Sequence, residues 1–226
     1  MGERLYDALI DGGGYKYIIS GLGNTLFITF FAVLIGILIG FIVAMVRATY
    51  DRTGKGFLPD LICRIYLTVV RGTPVVLQLM IIFYVVFASV NIPKVLAAII
   101  AFGLNSGAYV AEIFRSGIMA VDAGQFEAGR SLGFTYSQTM RLIIMPQAFK
   151  NVLPALCNEF IVLLKETSVA GYIALQDLTR GADIIRSQTY DAFPPLIIAA
   201  AIYLVMVVIF TKLVSILERR LRSNER

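Results

Sequence analysis

A chain of 226 residues that is 58% hydrophobic and only 15% charged, with a mean hydropathy of +0.79, lies outside the range of soluble domains, which average about 45–50% apolar and about 25% charged. Its 20 Lys and Arg exceed its 15 Asp and Glu by five, and it has no histidine, which excludes imidazole bases, Ser-His-Asp and Cys-His arrangements and His-ligated metals. Cys63 and Cys157 sit among apolar residues without CxxC spacing, so neither a disulfide framework nor a metal site is expected, and no basic stripe with interleaved aromatics points to nucleic acid.

A hydrocarbon core about 30 Å thick takes about 20 largely apolar residues per helix, and five such stretches follow one another. The first, about 24–46, comes after Glu3, Asp7 and Asp11 and is too long for a signal-peptide core, so it reads as a retained anchor. Its Gly36 and Gly40 are a small-xxx-small pair suited to close helix packing. The second, about 58–88, is interrupted by Arg64, Arg71 and Gly72-Thr73-Pro74, which predicts a broken helix with Thr73 as N-cap and Pro74 opening the second half. The others run about 95–114, 149–164 and 193–217. Basic residues set the direction. With the N-terminus outside, Arg47, Arg52, Lys55, Arg115, Arg130, Arg141, Lys150, Arg219, Arg220, Arg222 and Arg226 fall inside. Arg4, Lys16, Lys94, Arg180 and Arg186 are left outside beside Asp177, Asp183 and Asp191. Neither repeat nor low-complexity segment divides residues 1–226, which read as a single membrane domain. Its long non-spanning segments are a cytoplasmic loop of about 115–148 and an outer one of 165–192.

Within the cytoplasmic loop, Asp122 followed by Gln125 is a capping-box pattern and Gly133 a fitting left-handed stop, so a helix from Ala123 to Leu132 is expected. At barely more than two turns it needs something to pack on. Phe126, Gly129 and Leu132 on one side, with Glu127 and Arg130 on another, suit docking against a partner protein.

The triplet Glu127-Ala128-Gly129, Gly133 beyond it and Ile144-Met145-Pro146 resemble the EAA loop of permease subunits in binding-protein-dependent ABC importers. Further segments sharpen the resemblance to the polar amino acid uptake branch, which handles histidine, arginine, glutamine and similar substrates. These are Arg71-Gly72-Thr73-Pro74, Ala108-Tyr109-Val110-Ala111-Glu112-Ile113-Phe114-Arg115, Gly124-Gln125-Phe126-Glu127-Ala128, Pro146-Gln147-Ala148 and Lys165-Glu166-Thr167-Ser168-Val169. Together they cover nearly all of the chain from Gly21 to the last helix. Gly129 departs from the family's Ala, at a cost of roughly 1 kcal/mol in helix propensity. The resemblance implies an all-α integral membrane protein of five transmembrane helices with the type I ABC importer fold, the first helix wrapping the other four. It also implies that Gln125, Phe126, Glu127, Ala128, Gly129, Leu132 and Gly133 contact an ATPase subunit present in two copies. A second permease subunit, either identical or closely related, and an extracytoplasmic solute-binding protein complete the assembly. No cofactor is expected in this chain: Gly54-Lys55 is followed by Gly56, with no Ser or Thr for magnesium and no Gly five positions earlier, so it is no P-loop. ATP and magnesium then belong to the partner ATPase, and the chain's own contacts are solute, partner subunits and membrane lipid.

Ionisable groups at membrane depth are functional candidates because each costs several kcal/mol unless paired or wet. Glu159 stands about 14 Å in from Lys150, near the midplane. Asn105 and Ser106, counted from Lys94, reach a similar depth, with Tyr109 one turn below. A cationic solute could pair with Glu159. The positive end of the half-helix after Thr73, with Arg71 beside it, could attract a carboxylate. Against a substrate role stands interhelical pairing of Glu159 with a neighbouring Lys or Arg. Glu112 and Arg115 read as a local ion pair, and Lys165 and Glu166 as a helix end or outer gate. A polar L-amino acid, more basic than acidic, is the expected cargo. The competing classes are a passive channel or proton-coupled carrier, and a membrane enzyme.

Overall fold

In a computed structural model, residues 9, 10 and 12–223 are described; Glu3, Arg4, Asp7, Asp11 and Arg226, and the side chain of Arg222, lie outside the described residues. Those described form helices and connecting turns without a strand. The helices are α1 (Gly14–Thr53), α2 (Phe57–Gly72), α3 (Val75–Ile81, extended by a π turn Ile82–Val86), α4 (Lys94–Met119) and α5 (Ala123–Ser131). They continue as α6 (Tyr136–Thr139, leading through a π turn Met140–Ile144 into the next helix), α7 (Met145–Glu166, followed by a 3₁₀ segment Thr167–Ile173), α8 (Leu178–Thr189) and α9 (Phe193–Ser223).

Three of these, α1, α4 and α9, are each long and apolar enough to cross a bilayer, and α2 with α3 makes a fourth candidate bent by 110°. The apolar run predicted to break does so because Thr73 and Pro74 are both extended (ψ 148° and 136°), as the residue before a proline is pushed to be. The cap differs from expectation. Thr73 ends α2, donating its hydroxyl back to the Val69 carbonyl at 2.8 Å, and Pro74 itself occupies the N-cap position of α3. The fourth predicted span, α7, begins at Met145 instead of 149. Its 22 residues reach about 33 Å, yet it is not among the helices apolar enough to qualify as a span, because Lys150, Glu159, Lys165 and Glu166, with Gln147, Asn151 and Asn158, interrupt its apolar residues. Packing against α4, α9 and α1 holds it in place.

Helix α4 is central, with 67% of its apolar window buried against 39% for α1 and 17% for α9. Close contact with α1 runs through the small residues foreseen there. A Cβ on Gly36 would lie 2.8 Å from Ser106 Oγ, and one on Gly40 2.6 Å from Val110. The segment 165–192 is more ordered than a loop. Its helix α8 is capped by Asp177, which accepts from the Thr179 and Arg180 amides at 3.0 and 3.1 Å. It is latched to α1 by Asn24 Nδ2 donating to the Gln176 carbonyl at 2.8 Å and the Leu178 amide donating to Thr25 Oγ1 at 3.2 Å.

Candidate functional site

The polar residues predicted at mid-depth converge on α4, which presents them to two different neighbours. Ser106 Oγ donates to Glu159 Oε1 at 2.8 Å, tying α4 to α7, and both side chains are buried. Asn105, the next residue, faces the broken helix instead: its Nδ2 donates to Gln78 Oε1 at 2.9 Å. None of the ion pairs among the described residues involves Glu159, so interhelical pairing with Lys or Arg does not account for it. Asn105 Oδ1 is buried without a hydrogen-bond partner. The level thus holds two acceptors, a carboxylate answered by one hydroxyl and an amide oxygen answered by none.

Gln78 is the residue the sequence reading passed over. Its Nε2 donates to the carbonyls of Val70 (2.7 Å) and Thr73 (3.0 Å) and to Thr73 Oγ1 (2.8 Å), so one side chain closes the gap in the broken helix and holds Asn105. The available signal was a lone amide in the apolar run after Pro74. Arg71 is engaged away from the half-helix N-terminus it was expected to assist. Its Nη1 is 3.6 Å from Glu112 Oε1 and its guanidinium 5.7 Å from the centre of the Tyr109 ring. The local pair of Arg115 with Glu112 forms as read, at 2.9 Å. Arg71, Thr73 and Tyr109 are on the surface of the single chain, whereas Asn105, Ser106 and Glu159 are inside it.

Helix α5 begins at Ala123 as expected and ends at Ser131, one residue short of the expected Leu132: Asp122 caps it through the Gly124 amide at 2.7 Å, and Gly133 follows in the left-handed region at φ 82°, where a Cβ would be strained. The capping box belongs to the next helix, between Thr135 and Gln138. Two residues expected on the docking face are turned inward. Phe126 and Gly129 are buried, because a nine-residue helix needs tertiary packing to persist and finds it on its own chain. The Phe126 ring lies parallel to that of Tyr136 at 6.3 Å, with the Arg52 guanidinium 4.3 Å from its centre. Tyr136 donates to the Ala48 carbonyl at 3.3 Å, and burial pushes its hydroxyl above the usual phenol range. Helix α5 is therefore fastened to the C-terminal end of α1. Its outward face consists of Gln125, Glu127, Ala128, Arg130, Leu132 and Gly133.

Residues 36–223 match the family of binding-protein-dependent transport system inner membrane components, and the chain belongs to that family. The arginine transport system permease protein ArtQ of Bacillus subtilis is 41% identical over 211 residues, 92% of this chain and 94% of that protein. The L-cystine transport system permease protein TcyB of the same organism is 41% identical over 159 residues, 70% of this chain and 68% of that protein. Among solved structures, an amino acid ABC transporter crystallised with histidines superposes with a TM-score of 0.84 at 48% identity, covering 95% of this chain and 98% of that one. The chain is a permease subunit of an amino acid ABC importer, a multi-pass protein of the inner membrane with the type I importer fold.

Proposed function

We propose that this subunit carries basic L-amino acids, arginine, lysine or histidine, by alternating access driven from a separate ATPase. The observation that supports the cargo is the pair of acceptors at mid-depth: Glu159, with only the Ser106 hydroxyl on it, and Asn105 Oδ1 without a donor. A buried carboxylate favours a cationic, donor-rich solute and repels an acidic one. Tyr109, Arg71 and Thr73, open on the surface, would line the same path on the side where a second permease copy closes it. The proposed assembly is a homodimer or a pair with a close relative, five crossings per chain and the N-terminus outside. Two ATPase subunits binding ATP and magnesium grip the segment 122–133 from below, and a solute-binding protein delivers cargo from the other side. Closure of the ATPases draws the two α5 helices together and reopens the cavity outward; hydrolysis resets it.

The test is uptake in liposomes reconstituted with the ATPase and the binding protein. Glu159→Gln should lower arginine and lysine uptake at least tenfold, roughly what losing one charge-assisted contact removes, while the ATPase remains assembled. Unchanged uptake of both solutes would refute the cargo assignment.

A further inference from the structure

One furrow takes no part in the solute path or the coupling face. It follows a single stripe of α1, namely Phe30, Leu34, Ile37, Phe41, Met45 and Thr49, whose spacing of three and four keeps them on one side of the helix. From Phe30 to Thr49 the stripe covers about 28 Å, close to the thickness of a hydrocarbon core. Its upper stretch, against Leu153, Leu156 and Cys157 of α7 and against α9, encloses about 470 Å³ with almost no polar atom. The lower stretch is different. Phe41, Met45 and Thr49 face Tyr136, Ser137, Met140, Arg141 and Met145 around a second space of about 420 Å³.

Chemistry changes along this second space in the way a lipid does. Met45 is next to Val46, where the apolar run of α1 ends before Arg47. Above that level the wall is Phe41, Met45 and Met145; below it come the hydroxyls of Thr49, Ser137 and Tyr136 and the guanidinium of Arg141. Arg141 is exposed and has no carboxylate partner among the described residues. Of the residues lining this space Arg141 alone is charged, so it sets the sign of the mouth. Methionine walls adapt to flexible chains, and a basic pocket between helices on the cytoplasmic side is suited to an anionic headgroup.

We propose that an anionic phospholipid of the inner leaflet occupies this furrow, its phosphate on Arg141 with the Ser137 and Thr49 hydroxyls, and an acyl chain between Phe41, Met45 and Met145. The leaflet rests on the orientation proposed above; the site does not. Because Tyr136 both lines this space and stacks on Phe126, the lipid would support the coupling helix from behind.

Native mass spectrometry of the assembled transporter, taken from nanodiscs holding equal phosphatidylglycerol and phosphatidylcholine, tests the site without reference to uptake. Phosphatidylglycerol is expected to remain bound several-fold more than phosphatidylcholine. Arg141→Gln should reduce that retention several-fold and Arg141→Lys should preserve it, while Met45→Trp, which fills the acyl end and leaves the charge, should expel both lipids. Equal retention by wild type and Arg141→Gln, or no preference between headgroups, overturns the proposal. So does crosslinking of Ser137→Cys to its counterpart in a second copy, which would mean that protein fills the furrow.

Discussion

Ser106 is the hydroxyl that reaches Glu159, and it fits there because Gly36 opposite has no side chain. Ser106→Ala leaves the buried carboxylate without its donor, and hydrogen bonds to charged groups are worth about 1.5–3 kcal/mol. Thermal unfolding in detergent should show a loss of that order, together with weaker uptake. At Gly129 two effects oppose each other. Alanine gains about 1 kcal/mol of helix propensity, but its Cβ would come within 2.6 Å of Thr139 Cγ2 and 3.1 Å of Ile143. Thr139 is fully buried and β-branched, hence stiff, and overpacking costs about 1–3 kcal/mol, so Gly129→Ala should destabilise. Adding Thr139→Ala should restore the melting temperature, since the Thr139 hydroxyl has no partner to lose. Failure of the double variant to recover would show that the clash is not the cause.

At the scale of elements, the broken helix holds its shape through one amide. Proline and the extended Thr73 make the break, and Gln78 binds the exposed carbonyls on the α2 side. Gln78→Leu keeps the volume but unpairs those carbonyls and the Asn105 amide together. Asn105 is buried, and a penalty of about 1–3 kcal/mol for a buried group left unsatisfied predicts a drop in melting temperature, with faster hydrogen exchange at Val75–Ile81 where the carbonyls of the break lose their donor. Normal exchange there would mean that the break is set by Pro74 alone. Helix α8 follows the same logic, since the Asn24 and Thr25 side chains fasten it to α1.

For the molecule as a whole, α5 has a buried face and an exposed one. Phe126→Ala removes a ring buried between α1 and α6, a loss of about 3–5 kcal/mol, and should lower the yield of folded protein. Glu127→Arg lies on the exposed side and should leave the melting temperature unchanged while uncoupling ATP hydrolysis from uptake in liposomes. Coupled transport by Glu127→Arg at the normal rate would remove that face from the ATPase contact. Phe126, stacked on Tyr136 and covered by Arg52, ties α5 to the C-terminal end of α1.

Chain composition alone determined that this is a membrane protein, since 15% charge cannot clothe a soluble surface of this size. The positions of its helices and the break at Pro74 follow from local rules of apolar length, capping and proline geometry, which act over a few residues. The short helix α5 and its Gly133 stop were legible for the same reason, as was the shared level of Ser106 and Glu159, which meet. Tertiary structure decided what those rules cannot reach: that Asn105 and Ser106 serve different helices, that Arg71 stands by Glu112, that Gln78 joins the two halves of the break, and that Phe126 and Gly129 face inward. Each depends on which residues, distant in sequence, are brought together, and helix spacing gives only the face of a side chain, not the neighbour it meets.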